Sequence, residues 1–151
     1  MVGGPRADAE GNSLGELAAR LRIAITRTAR RLRQEGGTDL SPSQTAALVT
    51  IERHGPLTPS ELAKLERVQR PTATRIVSRL EEQGLVERTA DPADRRSCVV
   101  AATPAGEALL RKLRGRKNAY LARRLRRLDG GELETLERAA EILERLQEDE
   151  R

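Results

Sequence analysis

Three short segments constrain this chain more than any bulk property: "LSPSQ" around Ser41, "LTPSE" around Thr58 and "ATPAG" around Thr103. In each, a hydroxyl residue can accept from free backbone amides, and the proline after it fits the first helical position, where no amide partner is lost. Gln44 and Glu61, three residues after the first two caps, complete capping boxes. With stops at "HGP" and Gly84, these signals predict helices over 43–54, 59–66 and 71–83. "LVERT" and "SCVVAA" read as two strands joined by the turn-rich "ADPADRR", and a long helix follows from Pro104 to about Leu128. A last helix opens at "DGGE" (Asp129–Glu132) and reaches about Gln147. Ahead of all these, apolar or small residues at 14, 18, 21, 25, 28 and 32 give a helix with a narrow seam, broken by Gly36 and Gly37.

The core of such a chain must be aliphatic, because Tyr120 is its only aromatic residue. One cysteine, Cys98, and one histidine, His54, exclude an intrachain disulfide framework and argue against a metal site; no metal and no cofactor are expected. No apolar run is long enough for a membrane span, and residues 1–12 read as a disordered tail without the apolar stretch of a signal peptide. The expected location is cytoplasmic, in association with the nucleoid. The net charge of +5 is unevenly spread: nine acids and three arginines after Leu128 leave +11 on residues 1–128. A basic body of this kind suits a polyanion such as nucleic acid.

The helix "RPTATRIVSRLEE" carries the chemistry. Ala73, Ile76, Val77 and Leu80 share one face by the three-and-four rule, so the other shows Pro71, Arg75, Ser78, Arg79 and Glu82, flanked by Thr72 and Thr74. Arginine can grip guanine as a fork, and threonine can touch a thymine methyl or donate to a phosphate. Preceded by another helix across "LERVQR", it forms a helix-turn-helix, in which the second helix enters the major groove. The hairpin tip holds Arg95 and Arg96, which could reach phosphates or a narrow minor groove, with Asp94 close enough to hold one of them by a paired hydrogen bond. Helix, helix and basic hairpin in this order make a winged helix. The fold class is mainly α (α+β): a winged core over 40–103 with a two-stranded wing, a helix over 13–36 before it and helices over 104–151 after it.

Residues Leu40–Leu110 resemble the winged-helix core of the MarR family of bacterial transcriptional regulators, most specifically in "TRIVSRLEEQGLVER" and "DRRSCVVAATPAG". The family's Asp, Arg, Leu-Thr and Gly pattern falls on Asp94, Arg96, Thr103 and Gly106, with Ala102 in place of leucine. The resemblance implies a dimer that binds a pseudo-palindromic DNA operator and represses transcription in response to a small-molecule effector. Thr72, Thr74 and Arg75 would read or flank bases; Arg70, Ser78 and Arg79 would serve phosphates; Arg95 and Arg96 would enter the minor groove, with Asp94 as support. The family tends to place serine at or near Pro71, so an apolar contact replaces a polar one here. Dimerisation would use Leu14, Leu17, Leu21 and Ile25 of the first helix with Leu133, Leu136, Leu143 and Leu146 of the last. The ligand pocket the family implies would draw on Arg27, Arg30, Arg31, His54 and Tyr120.

The run Arg111–Leu128 holds nine cations and no acid, which suits pairing with the acidic last helix of the same or a partner subunit. Cys98, in a wing strand before two valines, reads as a packed or idle thiol. The competing reading is a winged helix that meets an acidic protein through its arginine face, which steep salt dependence of DNA binding would separate. No nucleophile, base and orienting group can be assembled around one histidine and one cysteine, so the chain is not expected to be an enzyme.

Overall fold

The computed structural model describes residues 6–94 and 96–148. The chain divides into two units, 37–115 and, from its two ends, 1–36 with 116–151. The first unit holds α2 (Pro42–His54), α3 (Pro59–Leu65), α4 (Arg70–Glu82), β1 (Val86–Ala90), β2 (Cys98–Ala102) and the first half of α5 (Pro104–Leu125).

The hydroxyl-proline starts act as caps. Ser41 Oγ accepts from the Gln44 amide at 3.2 Å while Gln44 Oε1 accepts from the Ser41 amide at 2.8 Å. Thr58 and Glu61 repeat the arrangement at 3.2 and 2.7 Å. The Thr58 amide, and then its hydroxyl, hold the Glu61 carboxyl below its ordinary pKa. Thr103 does more: its Oγ1 accepts from the Gly106 amide at 3.2 Å and donates to the Gly84 carbonyl at 2.6 Å, tying the start of α5 to the turn after α4.

Helices α3 and α4 stop by one device. After α3 the Val68 amide returns to Ala63 O at 2.9 Å and the Arg67 amide to Lys64 O at 3.2 Å, with Arg67 left-handed at φ 53°. After α4 the Leu85 and Gly84 amides return to Leu80 O and Glu81 O, both at 2.9 Å, with Gly84 at φ 70°. Both are Schellman closures, which need one left-handed residue and favour glycine there. The helix-turn-helix bend therefore carries an arginine where glycine would be unstrained.

The core lies between the helices and the wing. Ala47, Leu48 and Ile51 of α2, Leu62 and Ala63 of α3, Ala73, Val77 and Leu80 of α4, Val86, Val100, Leu110 and Leu113 are all buried. Each large aliphatic side chain so buried contributes about 1.5–3 kcal/mol. β1 and β2 pair antiparallel from Val86 with Ala102 to Ala90 with Cys98. Leu57 adds an isolated bridge to the other edge of β2: its amide bonds Val100 O at 3.1 Å and its carbonyl accepts from the Val100 amide at 2.8 Å, so the "HGPLT" break also anchors the wing. Arg114 of α5 clasps Glu52 of α2, with Nη1 to Oε2 at 3.0 Å, and this hydrogen bond lowers the Glu52 pKa despite some desolvation.

In the other unit, α1 spans Arg6–Gly36 and α6 spans Gly130–Glu148. The expected disordered tail over 1–12 is corrected in part: residues 6–12 are helical, continuing the α1 backbone ladder, and residues 1–5 lie outside the described residues. α5 ends at Leu125, three residues short of its expected end, and Asp129 and Glu132 form a capping box for α6 at 2.8 and 3.0 Å. Among the described residues no helix is long and apolar enough to cross a membrane.

Candidate nucleic-acid interface

Helix α4 presents the face its periodicity implies. Ala73, Val77 and Leu80 are buried and Ile76 is half-buried, while Arg70, Pro71, Thr74, Arg75 and Arg79 are exposed. Burial of one face against α2, α3 and β1 fixes the helix, so the outward side chains are free to meet a partner.

These outward groups are not equivalent. Arg75 has no hydrogen bond or ion pair among the described residues, leaving all its donors available. Arg79 Nη1 lies 3.1 Å from Glu82 Oε2 in an exposed pair of the kind that contributes about 0–1 kcal/mol, so a phosphate can displace the carboxylate. Thr74 Oγ1 donates to the Arg70 carbonyl at 3.0 Å, which commits its proton to the helix and leaves its lone pairs and methyl group for a partner. Thr72 is half-buried. Ser78 is also half-buried, and its Oγ accepts from Arg88 Nη2 at 3.0 Å; its own proton remains available to a phosphate.

Arg88 escaped the sequence reading, in which it was one residue of a strand. Its Nε lies 3.4 Å from Glu81 Oε2 without hydrogen-bond geometry, so the guanidinium of a wing strand is held by two residues of α4. No local pattern could announce this, because the strand-to-helix approach is a tertiary event. Replacing Arg88 by alanine is expected to cost about 1–2 kcal/mol of stability, the range for a hydrogen bond from a charged group less its partial exposure. Any nucleic-acid affinity should fall several-fold through loosening of the wing; thermal melts and titrations of the same variant check both.

Residues at the start of α2 were likewise missed. Ser41, Ser43 and Gln44 line a shallow groove with Thr72, Arg75, Ile76 and Arg79, placing the first turn of α2 beside the outward face of α4. "SPSQ" announced a helix start and nothing about what that start would face.

At the wing tip Arg96 is exposed. Asp94 does not clasp a guanidinium among the described residues: its Oδ1 accepts from the Arg96 main-chain amide at 3.0 Å, and its carbonyl accepts from the Ser97 amide at 2.9 Å. Asp94 thus closes a turn two residues wide that shapes the tip, and the Arg96 guanidinium is not paired with its carboxylate among the described residues. Arg95 lies outside the described residues. Cys98 is half-buried and unbonded to sulfur.

Of the five residues suggested for a ligand pocket, four lie in the 1–36 and 116–151 unit and His54 in the other. Arg31 and Tyr120 line one cleft, without Arg27 and Arg30. His54 lies in the 37–115 unit, beside Pro56, Leu57, Glu61, Lys64 and Leu65.

A helix-turn-helix with a two-stranded wing, its second helix turning arginines and threonines outward, defines a winged-helix DNA-binding protein. The family model described as "MarR family" matches residues 40–98. The HTH-type transcriptional regulator Mb0904 of Mycobacterium bovis is 35% identical over 133 residues, covering 87% of this chain and 93% of that protein. The multiple antibiotic resistance protein MarR of Salmonella typhimurium is 34% identical over 100 residues, covering 66% of this chain and 69% of that protein. Among solved structures, a transcriptional regulator protein from Pseudomonas aeruginosa PA01 superposes with a TM-score of 0.82 at 35% identity, over 90% of this chain and 96% of that one. The chain belongs to the MarR family, and it is a DNA-binding transcriptional regulator.

Proposed function

We propose that the protein is a repressor that binds a pseudo-palindromic operator as a homodimer, each subunit placing α4 in a major groove and its wing in the adjacent minor groove. The observation that carries the groove assignment is Arg75, exposed and unpaired among the described residues on the outward face of a helix that buries Ala73, Val77 and Leu80 on the other. Thr72 and Thr74 flank it for base contacts; Arg70, Arg79 and the Ser78 proton serve phosphates; Arg96 serves the minor groove.

The dimer reading rests on what α1 and α6 leave uncovered. Leu14, Leu17, Leu21 and Ile25 are 40–67% exposed, and Leu133, Leu136 and Leu146 are 39–60% exposed, with Leu143 half-buried. Apolar seams of this length on two helices of one unit are stable in water only when covered, and a second copy covers both by symmetry.

Footprinting on the region upstream of the protein's own coding sequence tests this. Two protected major-groove segments centred roughly 34–36 Å apart are expected. Affinity should fall roughly 10³ to 10⁵-fold between 50 and 200 mM salt if six to ten phosphates are engaged. A monomer mass by equilibrium sedimentation at micromolar concentration, or binding indifferent to salt, would contradict the reading. Repeating the footprint with small organic acids and phenols tests for release by an effector.

A further inference from the structure

The DNA reading leaves one cleft of the 1–36 and 116–151 unit unused. Arg31 and Glu35 of α1 line it with Tyr120, Arg123 and Arg124 of α5 and Arg127 just after it. The Arg124 guanidinium lies 5.3 Å from the Tyr120 ring centroid, and Arg31 Nε lies 3.5 Å from Glu35 Oε1. The side chains of Arg123 and Arg127 make neither ion pair nor hydrogen bond among the described residues. Four guanidiniums and one carboxylate converge on this concave surface, an excess of positive charge that calls for an anionic occupant.

Helix α6 carries the complementary pattern. Glu134, Glu137, Glu141 and Glu144 recur at alternating steps of three and four, the period that keeps them in one line along a helix. The line runs one residue after Leu133, Leu136, Ala140 and Leu143 and so borders the apolar seam, where flanking charges choose partners in helix-helix packing. All four carboxylates are exposed, and none makes an ion pair among the described residues. Stripe and cleft therefore both remain open within one chain, although they belong to the same unit.

We propose that the acidic stripe of α6 from one subunit docks in the arginine cleft of the other, so that charge sets the register and partner of the dimer. The proposal rests on the dimer reading, since covering the leucine seam brings the stripe that borders it against the partner. A second copy is favoured over a free anion because the seam and the stripe share one helix and must be covered together. Exposed pairs contribute little singly, but three in a line, reversed in sign, turn into mutual repulsion.

The test is a charge swap in the full-length chain. One variant carries Glu137→Lys, Glu141→Lys and Glu144→Lys; the other carries Arg123→Glu, Arg124→Glu and Arg127→Glu. By equilibrium sedimentation at low salt, each alone should dimerise at least about tenfold more weakly than wild type, from the loss of several partly exposed pairs. Mixed, they should recover near-wild-type association, because both contacts of the mixed dimer are again complementary; recovery also shows that both variants fold. Either variant dimerising like wild type, or no recovery from two variants of wild-type helix content, overturns the proposal. So does inorganic phosphate raising the melting temperature of wild type and not of the arginine variant while both dimerise equally, which would make the cleft a small-anion site. A monomeric wild type would instead remove the dimer reading itself.

Discussion

Gly106→Ala is expected to destabilise the winged-helix unit by about 3 kcal/mol, the upper end of the usual cost of overpacking. An alanine Cβ there would sit 2.1 Å from Leu85 O, 3.1 Å from the Leu85 carbonyl carbon and 3.3 Å from Leu48 Cδ1. The obstacle is main chain, which cannot swing aside as a side chain can. Leu85 O also accepts from the Thr103 amide at 3.0 Å, so moving it loosens the bond that seats α5 beside β1. Intrinsic propensity predicts the opposite sign, since alanine is better than glycine in a helix interior by about 1 kcal/mol. The same substitution at Gly115, where a Cβ meets nothing within 4 Å, supplies the contrast: it should raise stability by roughly 0.5–1 kcal/mol. Chemical denaturation of both variants decides, and a Gly106→Ala protein as stable as wild type would remove the packing argument.

Arg75→Ala is expected to weaken operator binding by about 1–3 kcal/mol, roughly 5- to 150-fold, and to relax sequence preference at the base pairs it meets. Stability should change by less than about 0.5 kcal/mol, because Arg75 is exposed and holds no partner among the described residues. Arg79→Ala should behave differently. Its side chain already shares charge with Glu82, so its loss should lower affinity evenly across sequences and reduce the salt slope by about one. Anisotropy titrations against the operator and a scrambled duplex, at several salt concentrations, separate base reading from phosphate positioning. Equal losses on both duplexes for Arg75→Ala would move that residue to the phosphate class.

The elements that were legible in the sequence are those whose determinants lie within one turn of chain. Ser41 with Gln44, Thr58 with Glu61 and Thr103 before Gly106 mark helix starts because a cap is completed three residues away. Ala73, Val77 and Leu80 mark the buried face of α4 because helical period alone aligns them. The outward arginines and threonines followed by subtraction, and so did the fold class and the order of helix, helix and wing.

What only the tertiary structure decided involves residues far apart in the chain. That Arg88 is held by Ser78 and Glu81, that Leu57 pairs with Val100, and that Ser43 stands beside Arg75 each depend on where separate elements pack. A hydroxyl or guanidinium carries no sequence mark of its distant partner, and many placements satisfy the same alternation of polar and apolar residues. Asp94 shows the limit at short range: its spacing suggested a guanidinium partner, and the bond to the Arg96 main-chain amide appeared only with the turn geometry. Local chemistry determined the elements and their faces; close packing of those faces chose the neighbours, because only a folded core brings distant segments within bonding range.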